Sequence, residues 1–307
     1  NMQVYAAKRA ALLMKELAGG EISSDITDIY PAPIEDFRFD VSFARIDALI
    51  GKHIPEETVR AILAALEVKV LDEKDGVLTG GETKLGLVSD DIIPNKVCLI
   101  PDLIKTLPYK PFACSAIDAL VHAVESALSP KATAYTKLFS YKAIEMIVRG
   151  YQHIAANGAD SCKALMDDFL TASNFAGLAF GTAGCGTVHA MAYPLGGQYH
   201  VAHGESNYAI FTGVMKEYMR HKADGEIAVM NSYLADLLGC GTDVVYERLE
   251  ELLNRVLPKK ALREYGTTQE DLPEWARSVI DNQQRLLHNS FIPMTEELVL
   301  KIYQDLY

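Results

Sequence analysis

Residues 185–207 read CGTVHAMAYPLGGQYHVAHGESN. Within this stretch lie His189, His200 and His203, separated by small and apolar residues and by a Pro194-Leu195-Gly196-Gly197 step that reads as a turn. A segment this apolar belongs in a core, and a buried neutral imidazole needs a partner for each of its ring nitrogens. Partners are available upstream. In SAIDALVHAVES (115–126), Asp118 and His122 stand four apart. On a helix that spacing puts both side chains on one face, with Cβ atoms about 5–6 Å apart. Asp118, His122, His189 and His203 together offer one carboxylate and three imidazoles. That donor set suits Fe2+ or Zn2+ and matches Ca2+ or Mg2+ poorly. Spacing alone leaves a second reading open, in which the same histidines are core residues satisfied by hydrogen bonds and hold no metal. His200 lies outside the set, in the apolar loop between two of its members, where it faces a substrate or makes an ordinary polar contact. Glu205, just after His203-Gly204, orients a ligand or caps a helix. His53, His153, His221 and His288 sit in polar surroundings and read as surface residues.

The wider composition narrows the class. A chain of 307 residues has room for about two domains. With 49% hydrophobic and 23% charged residues it has the profile of a globular protein. A formal net charge of −12 gains nothing from counterion release at phosphates, which argues against nucleic acid as a partner. Nor is there a basic patch for an anionic membrane surface, or an apolar run of the roughly 18–20 residues that span a bilayer. No signal-peptide pattern opens the chain, and Asn1 ahead of Met2 reads as a remnant or an edge. Cys98, Cys114, Cys162, Cys185 and Cys240 are scattered, odd in number and without a Cys-x-x-Cys pair. They are expected to be reduced thiols of a cytoplasmic protein, packed as small core hydrophobes.

Periodicity divides the chain. Residues 1–105 mix short elements: a helix over Val4–Leu17 stopped by Gly19-Gly20, a helix in PEETVRAILAALE with Pro55 in its first turn, a hairpin in VKVLDEKDGVLTGG, and short strands in KLGLVS and KVCLIP. Beyond Pro101, helical patterns follow one another. They cover Ala113–Ser129, Ala132–Ala156, Ser161–Phe180, a short piece around His189, another after His203, Gly225–Leu238, Asp243–Leu257, Gln269–His288 and Thr295–Tyr307, the last with a Thr cap. The expected fold is an α/β N-terminal part, 1–105, followed by a mostly α-helical domain, 106–307.

ACSAIDALVHAVESALSP followed by AGLAFGTAGCGTVHAMAYPLGGQYHVAHGESNYAIF resembles the signature region of the iron-dependent (group III) alcohol dehydrogenases. The resemblance runs from about Thr83 to Tyr307. Within that family it is similar in particular to the 4-hydroxybutyrate branch, in PFACSAIDALVHAVESALSPKA, in YPLGGQYHVAHGESNY and in the C-terminal QQRLLHNSF and IYQDLY. It implies a dehydroquinate synthase-like architecture, with an N-terminal dinucleotide domain, a helical domain and a metal between them. It also implies Asp118, His122, His189 and His203 as ligands to Fe2+ (or Zn2+), NAD as cofactor, and a small hydroxy acid or aldehyde as substrate. A homo-oligomer is compatible with it.

Two departures stand out. Four residues after His189, where most members carry a second histidine assigned to proton relay, this chain has Tyr193, as its branch does. Tyr193 and His200 are the candidates for catalytic contact. The family's Gly-Gly-Gly-Ser-type turn and its Thr-Thr…Gly-Thr-Gly-Ser-Glu loop are missing: LTGGETKLGL has a glycine pair but no following helix with Asp. Lys84 matches a position that contacts the cofactor. The nucleotide-binding part is therefore expected to be degenerate or partial. The resemblance implies an NAD-dependent 4-hydroxybutyrate dehydrogenase that yields succinate semialdehyde. The alternative is a catalytically incomplete metal-binding structural or interaction subunit without a working dinucleotide site.

Overall fold

The computed structural model describes residues 39–50, 53–65, 70–74, 77–80 and 97–307. The chain divides into two units, Asn1–Asn95 and Lys96–Tyr307. The helix expected over Val4–Leu17, the strand expected in KLGLVS, and Lys84 lie outside the described residues.

In the first unit, β1 (Phe39–Ser42) leads into α1 (Phe43–Ile50), then α2 (Glu56–Ala65), β2 (Val70–Lys74) and β3 (Val77–Gly80). The expected hairpin is present: β2 pairs antiparallel with β3, Lys74 opposite Val77, with an irregularity between Val70 and Asp72. β1 adds on the other side of β3, also antiparallel, with Ser42 opposite Val77. Phe43 and Val59 are buried together, with Ile46 and Ile54 packed against them. The Asp47 carboxylate accepts the Ile54 amide at 2.8 Å, which fixes the entry to α2.

The second unit is helical. KVCLIP, expected as a strand, is irregular over 97–100 and runs into a single 3-10 turn, Pro101–Ile104. Among the described residues it has no strand to pair with, so its apolar pattern alone does not make a sheet. The helices that follow are α3 (Tyr109–Leu128), α4 (Ala134–Asn157), α5 (Met166–Ala183), α6 (Thr187–Gln198), α7 (His203–His221), α8 (Glu226–Leu238), α9 (Val245–Val256), α10 (Asp271–Asn282), α11 (Gln284–Leu287) and α12 (Glu296–Leu306). The helix expected over Gln269–His288 is broken at Gln283, and the N-terminal turn of the one expected from Ser161 is a 3-10 segment.

Apart from the stripe of Lys110, Ser115, Asp118 and His122, α3 is buried along most of its circumference, as a helix at the centre of a bundle is. It packs against α4, α5 and α7. Ala113, Ala116, Ala119, Ala123 and Ala127 keep the neighbouring backbones close, and all are buried. Thr133 and Thr136 close the start of α4 reciprocally, each side chain accepting the other's amide, at 3.2 and 2.8 Å. Thr295 caps α12 by accepting the Leu298 amide, as the sequence suggests. α12 returns the chain to the core, where the buried Tyr303 hydroxyl donates to the Met191 carbonyl at 2.7 Å. Among the described residues no helix is long and apolar enough to cross a membrane.

The Pro194–Gly197 step is a correction to the sequence reading. It is not a turn; it lies inside α6. Proline removes one amide donor and crowds the preceding turn. Here burial of the helix overrides that local preference: Val188, Ala190, Met191, Ala192 and Leu195 are all inside the core. The chain reverses later, at 199–202, where His200 takes a positive φ of 53°.

Candidate metal centre

Three elements converge on Asp118. α3 contributes Asp118 and His122 one turn apart. α6 contributes His189 in its first turn, and α7 begins with His203. Asp118 Oδ1 lies 3.5 Å from His189 Nε2 and 3.7 Å from His203 Nε2. Asp118 Oδ2 lies 3.8 Å from His122 Nδ1. Ligand atoms about 2.1 Å from a tetrahedral ion are about 3.4 Å apart, a spacing that the Asp118–His189 and Asp118–His203 pairs come near. Asp118, His189 and His203 offer ligand atoms all within 4.8 Å of one another. A second group, His122, Cys185 and His189, meets the same limit.

The local reasons are readable. Gly204 lets the start of α7 touch α3; a Cβ there would drive into the Cys114 carbonyl oxygen. The His122 ring stacks between Phe180, 4.3 Å away centroid to centroid, and His189, at 4.5 Å. Asn207, one turn after His203, donates from Nδ2 to Asp118 Oδ1 at 2.6 Å and so fixes the carboxylate. Glu125, two turns after Asp118 on α3, is buried. It accepts the Val188 amide at 2.6 Å and meets His189 Nδ1 at 2.6 Å.

The electrostatics of Asp118 and His122 suit a cation, whereas His189 has to release a proton before it can ligate one. Burial works against a charge on Asp118, but His189, 3.5 Å away, and the other two nearby imidazoles outweigh it and lower its pKa to about 2. His122 is pushed down to about 4, first by burial and then by His189, so it is neutral with a lone pair to give. Burial also opposes charge on His189, yet Asp118, Cys185 and Glu125 hold it well above the ordinary histidine range. The Nε2 of His189 is buried and has no hydrogen bond of acceptable geometry, and Asn207 Oδ1 is likewise unsatisfied. Buried nitrogens in native proteins are seldom left so. An orphan Nε2 facing a carboxylate and a second imidazole fits a divalent ion.

Two clefts open on the cluster. One, of about 460 Å³, is lined by Lys110, Ser115, Asp118 and His203 among others. The other, of about 430 Å³, is lined by Ser115, Asp118, His122, Ser173, Asn174 and Phe180 among others. Lys110 is held by Glu205 at 2.8 Å, so Glu205 orients a cation at the mouth of the first cleft. Tyr193 is 39% exposed, and its ring centroid lies 6.3 Å from that of His203. His200 is exposed in the loop before α7. His53 pairs with Asp47 and His221 with Glu217, in keeping with surface roles.

The sequence reading missed Glu125, Asn207 and Cys185. Glu125 carried a signal: an acid in the apolar run AVESAL, since a fully buried carboxylate is rare unless paired. Asn207 stands four after His203, the helical neighbour distance.

Comparison with known proteins gives two different likenesses. Residues 112–307 match the C-terminal part of the Fe-containing alcohol dehydrogenase family. Over 225 residues, 73% of the chain, it is 45% identical to the 4-hydroxybutyrate dehydrogenase of Clostridium kluyveri. It spans 61% of that relative's length. A solved structure of a 1,3-propanediol oxidoreductase superposes with a TM-score of 0.60 at 25% identity, over 67% of this chain and 54% of that one. A different likeness covers 79 residues, 26% of the chain. These are 46% identical to the phenylalanine–tRNA ligase beta subunit of Bacteroides fragilis, of which they span 10%.

Proposed function

We propose a function from one premise: the chain belongs to the Fe-containing alcohol dehydrogenase family. Its activity is the interconversion of 4-hydroxybutyrate and succinate semialdehyde with NAD, at a centre where Asp118, His122, His189 and His203 hold Fe2+ or Zn2+. The observation that carries the metal part of the reading is the orphan Nε2 of His189, buried 3.5 Å from the Asp118 carboxylate, and the substrate part is supported by the 45% identity to a 4-hydroxybutyrate dehydrogenase. When bound there, a divalent ion supplies Lewis-acid polarisation of an alcohol or carbonyl oxygen.

The protein's own residues do the rest. Asp118, ionised, and His122, neutral, present lone pairs without first losing a proton. Phe180 covers one face of His122 and keeps water from it. Ser115 lines both clefts, and its hydroxyl can meet a substrate oxygen from either. Lys110, at the mouth of the first cleft, is the cation nearest to hand for a substrate carboxylate, with Tyr193 and His200 as the further candidates. A carboxylate left unpaired in such a cleft is costly. A site built to pair one discriminates against butanol by up to about 10⁴ in kcat/KM. Equal kcat/KM for butanol and 4-hydroxybutyrate would reject the hydroxy-acid reading. Metal analysis tests the centre: the wild type should hold one ion and His203→Ala much less, and equal metal in both would remove His203 from the set.

A second reading is favoured by the 79 residues similar to a tRNA ligase subunit and by the antiparallel sheet of residues 39–80. A dinucleotide rests on a glycine-rich turn at a helix N-terminus in a parallel sheet, and among the described residues no such turn occurs. In this reading the chain binds metal through its helical unit and serves as a structural or interaction subunit. Calorimetric titration with NAD separates the two: micromolar binding by this 307-residue chain rejects the second, and no binding favours it.

A further inference from the structure

Glu125 lies outside the ligand set, yet it is buried with its side chain 4% exposed and touches the centre through His189. Its two oxygens are both committed. Oε1 accepts the Val188 amide and Oε2 faces His189 Nδ1, each at 2.6 Å. A carboxylate can only accept, so the Nδ1 atom must carry the proton. Once the ring is neutral it has a single nitrogen to offer, Nε2, the one aimed at Asp118. The same carboxylate caps the start of α6, where amides lack intrahelical partners and the helix dipole favours an anion. Gly186 leaves room for it; a Cβ there would stand 3.3 Å from Oε1.

We propose that Glu125 is the positioning residue of the centre: it fixes the His189 tautomer and ties that choice to the first turn of α6. The proposal rests on the metal reading above. Its physical core is a count of acceptors. Glutamine has the same shape but one acceptor where glutamate has two. In Glu125→Gln, if the amide oxygen keeps Val188, the NH2 group meets His189 Nδ1 and forces the proton onto Nε2, closing it to a metal. If the amide turns over, the NH2 group opposes the Val188 amide and the cap is lost.

The experiment measures Zn2+ affinity by chelator competition and the visible spectrum of the Co2+-loaded full chain. Glu125→Gln should bind Zn2+ about 10- to 100-fold more weakly, the range for loss of a partner behind a ligand. Its Co2+ spectrum should move toward that of His189→Ala. A merely structural role would lower the melting temperature and leave both unchanged, and that result overturns the proposal. Should Glu125→Gln fail to fold, Glu125→Asp withdraws the carboxylate by one methylene and must weaken Zn2+; wild-type affinity in it overturns the proposal too. If the wild type takes up neither ion, the metal reading fails by itself. Glu125 is then judged by 15N histidine spectra of metal-free protein at alkaline pH, where the ring is neutral. A proton on Nδ1 in the wild type and on Nε2 in Glu125→Gln supports it, as does an unchanged tautomer with the Val188 amide hydrogen bond lost; the same tautomer with that bond intact overturns it.

Discussion

His189 and His203 face the same oxygen of Asp118, at 3.5 and 3.7 Å, yet they are held in opposite ways. The His189 side chain is 4% exposed, with Glu125 behind it and His122 stacked on it. The His203 side chain is 51% exposed, at the first residue of a helix and beside the open cleft lined by Lys110. One imidazole belongs to the core and the other to the cleft wall. A cluster built this way has a fixed half in the core and an accessible half that opens on the cleft.

The largest test removes each imidazole in turn. His189→Ala leaves the Glu125 carboxylate buried without its ring partner and should cost about 3–5 kcal/mol in denaturant unfolding of metal-free protein. His203→Ala should stay within about 0.5 kcal/mol, as surface changes do. Equal costs would break the distinction. A smaller effect is expected from Gly204→Ala, whose Cβ would meet the Cys114 carbonyl and push α7 off α3. Overpacking of this kind costs about 1–3 kcal/mol, and Zn2+ affinity should fall while the Glu125–His189 pair stays intact. A Gly204→Ala protein with unchanged melting and unchanged metal affinity would show that the close approach is not needed.

Acid should loosen the far end of α7, where Glu217 meets Lys301 of α12. Glu217, toward the other end of α7, is buried, and burial raises its pKa. Lys301 and Arg220 outweigh that and hold it below its ordinary 4.5. Lys301 reaches it from α12 at 2.9 Å. A lowered folded pKa gives stability that is complete above about pH 4.5 and lost as pH falls through the lower folded value. Glu217→Gln should therefore show a shallower loss of stability below pH 4.5 than the wild type. Parallel acid limbs would mean the pair contributes nothing there. The smallest effect is expected at His200, whose φ of 53° is unfavourable for a residue with a Cβ. His200→Gly should stabilise by less than about 1 kcal/mol, and kcat/KM measured alongside decides whether the side chain also meets substrate. A loss of stability would show that the ring is held by something worth more than the strain.

How much of this was legible follows the range of the interactions. The spacing of Asp118 and His122 is a local fact of helical geometry, and one turn of α3 delivers it. The hairpin at 70–80, the cap at Thr295 and nearly every helix of the second unit were equally local, each set by periodicity and a few terminal residues. The errors were local preferences overruled from a distance. Pro194-Leu195-Gly196-Gly197 has the chemistry of a turn, but burial against the core kept it helical. KVCLIP has the pattern of a strand, but a strand needs a neighbour.

The sequence by itself determined the helical character of the second unit, the i,i+4 pair on one face and the chemical kinds of donor available. It did so because period and residue type act over one or two turns. The tertiary structure alone decided that His189 and His203 meet one oxygen of Asp118, that Glu125 stands behind His189 from 64 residues away, and that Asn207 reaches Asp118 across 89. Those pairings depend on which helix faces pack together, and close packing of Gly204 on Cys114 is a contact that no local pattern encodes.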